Sequence, residues 1–119
     1  MLINDYFDKV VCINLDRRPD RLQESQQQWT KHGLSVERIS ATDGNPMNWK
    51  HERERSVDLP NVQPTAFAGV AGCIASHTNI WRKAKQECWK NVLIIEDDCD
   101  FVNDLQKVFE EKIKEVPED

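Results

Sequence analysis

Four consecutive apolar residues, Val92-Leu93-Ile94-Ile95, run straight into Glu96, Asp97, Asp98 and, after Cys99, Asp100. The apolar half constrains the fold. A short continuous run without polar alternation reads as a strand covered on both faces, the habit of a parallel sheet. The acidic half constrains what lies at the end of that strand. Crowded carboxylates repel one another, so the segment needs a positive partner or water among them.

The rest of the chain supplies neighbours for such a strand. Residues 9–15, KVVCINL, form a second β-branched apolar run and read as a buried strand. Pro19 suits the first turn of a helix, Leu22, Gln26 and Trp29 give its stripe, and Gly33 suits the stop. Residues 36–39 read as a further strand, and ATDGNP at 41–46 is turn chemistry. Residues 47–66, with the charged run KHERER, are expected to form a loop or a loose helix. From Val70 the pattern sharpens: Val70, Ile74, His77, Trp81, Ala84 and Cys88 are spaced as one apolar helix face, ended by Asn91. His77 and Trp81 on that face read as packed core residues. Phe101, Leu105, Val108 and Phe109 mark a last amphipathic helix that fades at Pro117. The order β-α-β-loop-α-β-α implies an α/β fold with an open parallel sheet and flanking helices.

One domain spanning residues 1–119 is the expectation for this length. Sixteen basic against twenty-one acidic residues leave a net charge of −5, which disfavours non-specific nucleic-acid binding. No apolar run approaches the ~18 residues of a membrane span, and the first residues lack the basic-then-apolar signature of a signal peptide. Cys12, Cys73, Cys88 and Cys99 include no C-x-x-C pair, which argues against a zinc site. Cys12 in a strand and Cys73 and Cys88 on the apolar helix face read as buried free thiols of a reducing, cytoplasmic protein.

Ligands of open α/β sheets sit outside the carboxyl ends of the strands. Three segments fall at such ends: NLDRRPDR, ATDG and EDDCD. The acids supply the hard oxygen ligands that Mg²⁺ or Mn²⁺ takes together with substrate phosphates. Either Glu96 with Asp98, or Asp98 with Asp100, could grip such a cation. The competing reading is that these acids cap the next helix. Arg17, Arg18 and Arg21 could clamp phosphate, or form ion pairs in a solvated first turn. Asp43 reads as a turn residue that could also bond a ribose or base edge. Ser76 and His77, adjacent in sequence, do not make a nucleophile triad. Neither the G-x-G-x-x-G nor the P-loop fingerprint is present.

Together, VVCINLDRRPDRLQ, ERISATDG, GCIASHTNIWRKA and VLIIEDDCDF resemble glycosyltransferase family 25, which includes lipooligosaccharide galactosyltransferases and collagen galactosyltransferase domains. The likeness runs from Lys9 to Phe101. It implies a GT-A-like nucleotide-diphospho-sugar transferase fold, a UDP-sugar donor such as UDP-galactose, a glycan acceptor such as lipooligosaccharide, and Mn²⁺ or Mg²⁺. By that resemblance Asn14, Arg17, Arg21 and Asp43 lie near the nucleotide, and Glu96, Asp97 and Asp98 near the metal and diphosphate. Ser76 and His77 match a family pattern near the donor site, in support of the loop there. Family members are longer, and their acceptor half has no counterpart here. The resemblance therefore implies a donor-binding, N-terminal part of the fold, and a homodimer is one way to cover its open surface. The alternative is a non-catalytic nucleotide-sugar-binding or interaction module. A receiver domain lacks its later strands here, and an EF-hand lacks its loop glycine.

Overall fold

A computed structural model of the chain describes residues 1–44, 50 and 63–118. The described elements are α1 (Ile3–Tyr6), β1 (Lys9–Asn14), α2 (Pro19–Lys31), β2 (Glu37–Ser40), α3 (Pro64–Gln86), β3 (Val92–Glu96) and α4 (Leu105–Lys112), followed by a 3₁₀ turn at Ile113–Glu115. The three strands form one parallel sheet in the order β2-β1-β3. In register, Val11 faces Glu37 on one side and Ile94 on the other. The α/β expectation holds, and the arrangement is compatible with a nucleotide-sugar transferase-like fold. Of the loop or loose helix expected at 47–66, residues 47–49 and 51–62 lie outside the described residues, and 64–66 belong instead to the first turn of α3.

Alternation along β1 builds two cores. Val10 and Cys12 point to one face, where they meet Trp29, Leu34, Ile3 and Ile95 beneath α1, α2 and α4. Val11 and Ile13 point to the other and pack on Ile80 of α3. A fully buried aliphatic side chain such as Ile80 contributes about 2–3 kcal/mol of transfer free energy. Coverage on both faces explains the unbroken apolar runs of β1 and β3. The chain leaves β1 outward to β2, then returns across β1 to β3, with α2 and α3 on opposite faces. That reversal opens a crevice at the carboxyl ends of β1 and β3.

Helix α2 begins with Pro19 in its first turn and stops at Gly33, whose φ of 69° is the left-handed conformation that closes such an end. Helix α3 differs from the sequence expectation in two ways. It starts at Pro64, six positions before Val70, with proline again in its first turn. It also presents a different face to the sheet. The buried positions are Phe67, Ala68, Gly72, Ser76 and Ile80, whereas Val70, Ile74 and Trp81 are solvent-exposed, Ile74 and Trp81 by about 60%. The apolar stripe through Val70, Ile74, His77 and Trp81 is therefore not the core face, and Trp81 is not a core residue. The reason is steric. At Gly72 a Cβ would come within 2.9 Å of the Thr42 carbonyl, and at Gly44 one would come within 2.6 Å of the Ala68 carbonyl. Only a stripe of small side chains lets α3 approach the 41–44 segment this closely. Cys88, expected on the buried stripe, lies beyond the helix in a left-handed turn (φ 58°) and is exposed.

Candidate functional site

The crevice is a cleft of about 570 Å³ between β1, β3, the 41–44 segment and α3. Arg17, Arg21, Ser76, His77, Glu96, Asp97 and Asp98 all border it. Asn14, Asp43 and Asp100 do not line it, and each has a different place.

Asn14 lies beneath the cleft floor, 1% exposed, as the last residue of β1. Its amide donates to the Asp97 carboxylate at 2.8 Å and to the Arg18 carbonyl at 3.0 Å, and its Oδ1 accepts from Arg38 Nε at 3.0 Å. Asp97 is thereby aimed inward, with its side chain 13% exposed and Arg21 3.7 Å away. Ser25 on α2 donates to the Asp97 carbonyl and fixes the backbone at the strand end. Asp43 sits at the rim, where it accepts from Arg17 Nε at 3.2 Å. Both partners are more than half exposed. Such a pair is worth less than about 1 kcal/mol, so Arg17 is free to exchange it for an anionic ligand.

Strand β3 ends at Glu96, and a turn closed by Cys99 N–H to the Glu96 carbonyl reverses the chain. This turn distributes the four acids. Glu96 faces α3, Asp97 faces β1 and Asp98 opens to the cleft with no hydrogen bond among the described residues. Asp100 points to the far side, where it accepts from Gln28 on α2 at 3.1 Å. Helix capping does not explain the acids. Helix α4 begins only at Leu105, its cap residue is Asp104, and its first turn contains no acid.

Ser76 is buried and committed: its hydroxyl donates to the Gly72 carbonyl at 2.7 Å and accepts from the Thr42 amide at 2.9 Å. It ties the 41–44 segment to α3. His77, partly buried, places Nε2 3.4 Å from Glu96 Oε1, and Cys73 Sγ lies 3.5 Å from the same oxygen. Burial first, then the adjacent Glu96, push the Cys73 thiol above its ordinary value. Of the three cysteines expected to be buried, only Cys12 is; burial raises its thiol to about 11, and Cys73 and Cys88 are exposed.

Two participants escape a sequence reading. Arg38, in the middle of β2, spans Asn14 and Asp16, and its hydrogen bond is the main reason the Asp16 carboxyl sits below its usual range, with Ser40 second. An arginine inside a strand is the signal that marks it. Gly72 is the other, visible only once α3 is docked. No described helix is long and apolar enough to cross a membrane.

A family model described as Glycosyltransferase family 25 (LPS biosynthesis protein) matches residues 7–119. A Glycosyltransferase 25 family member from Drosophila pseudoobscura pseudoobscura is 36% identical over 100 residues, covering 79% of this chain and 16% of that protein. The Probable inactive glycosyltransferase 25 family member 3 of Bos taurus is 32% identical over 116 residues, 92% of this chain and 20% of that protein. Procollagen galactosyltransferase 2 of Homo sapiens is 26% identical over 107 residues, 85% of this chain and 17% of that protein. The chain thus spans about a fifth or less of the length of these relatives. No solved structure matches it.

Proposed function

Since the chain belongs to glycosyltransferase family 25, we propose that its cleft binds the diphosphate end of a UDP-sugar, UDP-galactose by analogy with galactosyltransferase relatives, for hexose transfer to a glycan acceptor such as lipooligosaccharide. The observation that carries this reading is the meeting of two arginines and three carboxylates at the one crevice where the strand order reverses. Carboxylates alone would repel a diphosphate, and arginines alone would need no acids. Both together suit a diphosphate accompanied by a cation.

The donor set fits a hard divalent ion, Mn²⁺ or Mg²⁺. Asp98 offers an exposed carboxylate to the cleft, and Glu96, on the α3 side, borders the same cleft. Asp97 already accepts from Asn14, so its part is to hold the floor and Arg21. When bound, the ion would supply Lewis-acid neutralisation of the departing diphosphate. Arg21 and Arg17 contribute the rest of the positive charge, Arg17 after releasing Asp43. Ser76 and Gly72 keep the 41–44 backbone close enough to form the opposite wall.

Calorimetric titration with UDP-galactose, with and without Mn²⁺, tests this. We expect Mn²⁺-dependent binding that Asp98→Asn weakens by about tenfold or more while leaving the fold intact. Absence of metal-dependent binding, or normal binding by the variant, overturns the assignment. A second reading, donor binding without transfer, is favoured by the relatives named as inactive. Release of UDP in the presence of glycan acceptors separates the two.

A further inference from the structure

Cys73, His77 and Glu96 form a group of unlike ligands. Cys73 and His77 are four residues apart on α3 and so share a face, and Glu96 ends β3 opposite them. One ligand atom from each lies within 4.8 Å of the other two. Sulfur to carboxylate oxygen is 3.5 Å, and imidazole nitrogen to the same oxygen is 3.4 Å. A tetrahedral zinc ion, with bonds of about 2.3 Å to sulfur and about 2.0–2.1 Å to nitrogen and oxygen, requires ligand separations of about 3.6 Å and about 3.4 Å for these pairs. The side chains already stand at those edges.

We propose that Cys73, His77 and Glu96 are a second cation site, selective for Zn²⁺ over Mn²⁺. Thiolate and imidazole are soft and borderline ligands, poor for Mn²⁺ and good for Zn²⁺. Three protein ligands would leave the fourth tetrahedral position for water or a phosphate oxygen, and all three ligands border the cleft. The absence of a C-x-x-C pair is no obstacle, because the third ligand comes from a strand nineteen residues after His77. Glu96 is shared with the donor-binding reading above, on which one consequence rests: Zn²⁺ here competes with the hard cation of the diphosphate.

Cobalt(II), the visible stand-in for zinc, tests the site without any nucleotide. The reduced chain with Co²⁺ should show a sulfur-to-cobalt charge-transfer band and the intense visible bands of tetrahedral coordination. Zn²⁺ should displace the ion, and Mn²⁺ at equal concentration should not. Cys73→Ser should abolish the charge-transfer band, and His77→Gln should weaken Zn²⁺ binding at least about tenfold. No band in the unmodified chain overturns the proposal. So does a band that survives Cys73→Ser, since the thiolate would then belong to the exposed Cys88 or Cys99. If UDP-galactose binding fails while the cobalt spectrum appears, only the donor-binding reading falls. If the spectrum is absent while Mn²⁺-dependent donor binding holds, only this site falls. With both present, Zn²⁺ preloading should reduce donor affinity, and an unchanged affinity refutes the competition.

Discussion

Asn14→Ala removes the junction under the cleft floor. The substitution deletes a hydrogen bond to a carboxylate, one from a guanidinium and one to a backbone carbonyl. Bonds to charged groups are worth about 1.5–3 kcal/mol each and the neutral one about 1 kcal/mol, so the undiscounted loss is about 4–7 kcal/mol. Two features reduce it. The Arg38 side chain is 32% exposed and keeps Asp16, and Asp97 keeps Arg21 beside an open cleft. About 3 kcal/mol should remain, a large share of the roughly 5–15 kcal/mol stability of a small domain. Urea unfolding followed by circular dichroism measures it. With a slope of about 2 kcal/mol/M, the midpoint should fall by about 1.5 M at unchanged slope. Combining Asn14→Ala with Asp97→Asn should show coupling of about 1–2 kcal/mol, because the second change removes the charge the first leaves unpaired. A loss below about 1 kcal/mol, or strict additivity, would refute the view that Asn14 orients Asp97.

Three further outcomes are expected. Gly72→Ala should cost about 1–3 kcal/mol and weaken any cleft ligand, because its Cβ meets the Thr42 carbonyl, whereas Gly69→Ala, whose Cβ meets nothing within 4 Å among the described residues, should gain about 0.5–1 kcal/mol in the same helix; equal effects by thermal melting would contradict the docking of α3. Arg18 beside Asp20 holds its carboxyl down to about 2, and Arg38 likewise depresses Asp16. Both folded values lie below the unfolded ones, so this stability is present above about pH 4 and is lost as pH falls toward 2. Arg18→Ala should flatten the urea midpoint over that window at low salt, and an unchanged profile would count against the pairing. A thiol reagent at pH 8 should label Cys73, Cys88 and Cys99 in the native protein and Cys12 only after denaturation. Rapid native labelling of Cys12 would contradict its burial.

The sequence alone determined the kinds of element and their order. KVVCIN and VLII are too uniformly apolar to have a wet face, Pro19 and Gly33 bracket a helix, and strands alternating with helices leave a parallel sheet as the economical solution. It also placed the arginine and acid segments at strand ends, because a parallel sheet carries its carboxyl ends on one edge. Tertiary packing decided which side chains face the cleft. The stripe Val70, Ile74, His77, Trp81 is the face that helical periodicity marks as apolar, yet Phe67, Ala68, Gly72, Ser76 and Ile80 are the residues that become buried. Hydropathy measures transfer of side chains from water, while docking here depends on how closely two backbones can approach. The same holds for the acids. Glu96, Asp97 and Asp98 are consecutive acids in the sequence, but the turn after β3 sends one to α3, one to Asn14 and one to the open cleft, and Asp100 to Gln28. Direction at a strand end is set by the turn and by partners distant along the chain, and no local pattern encodes either.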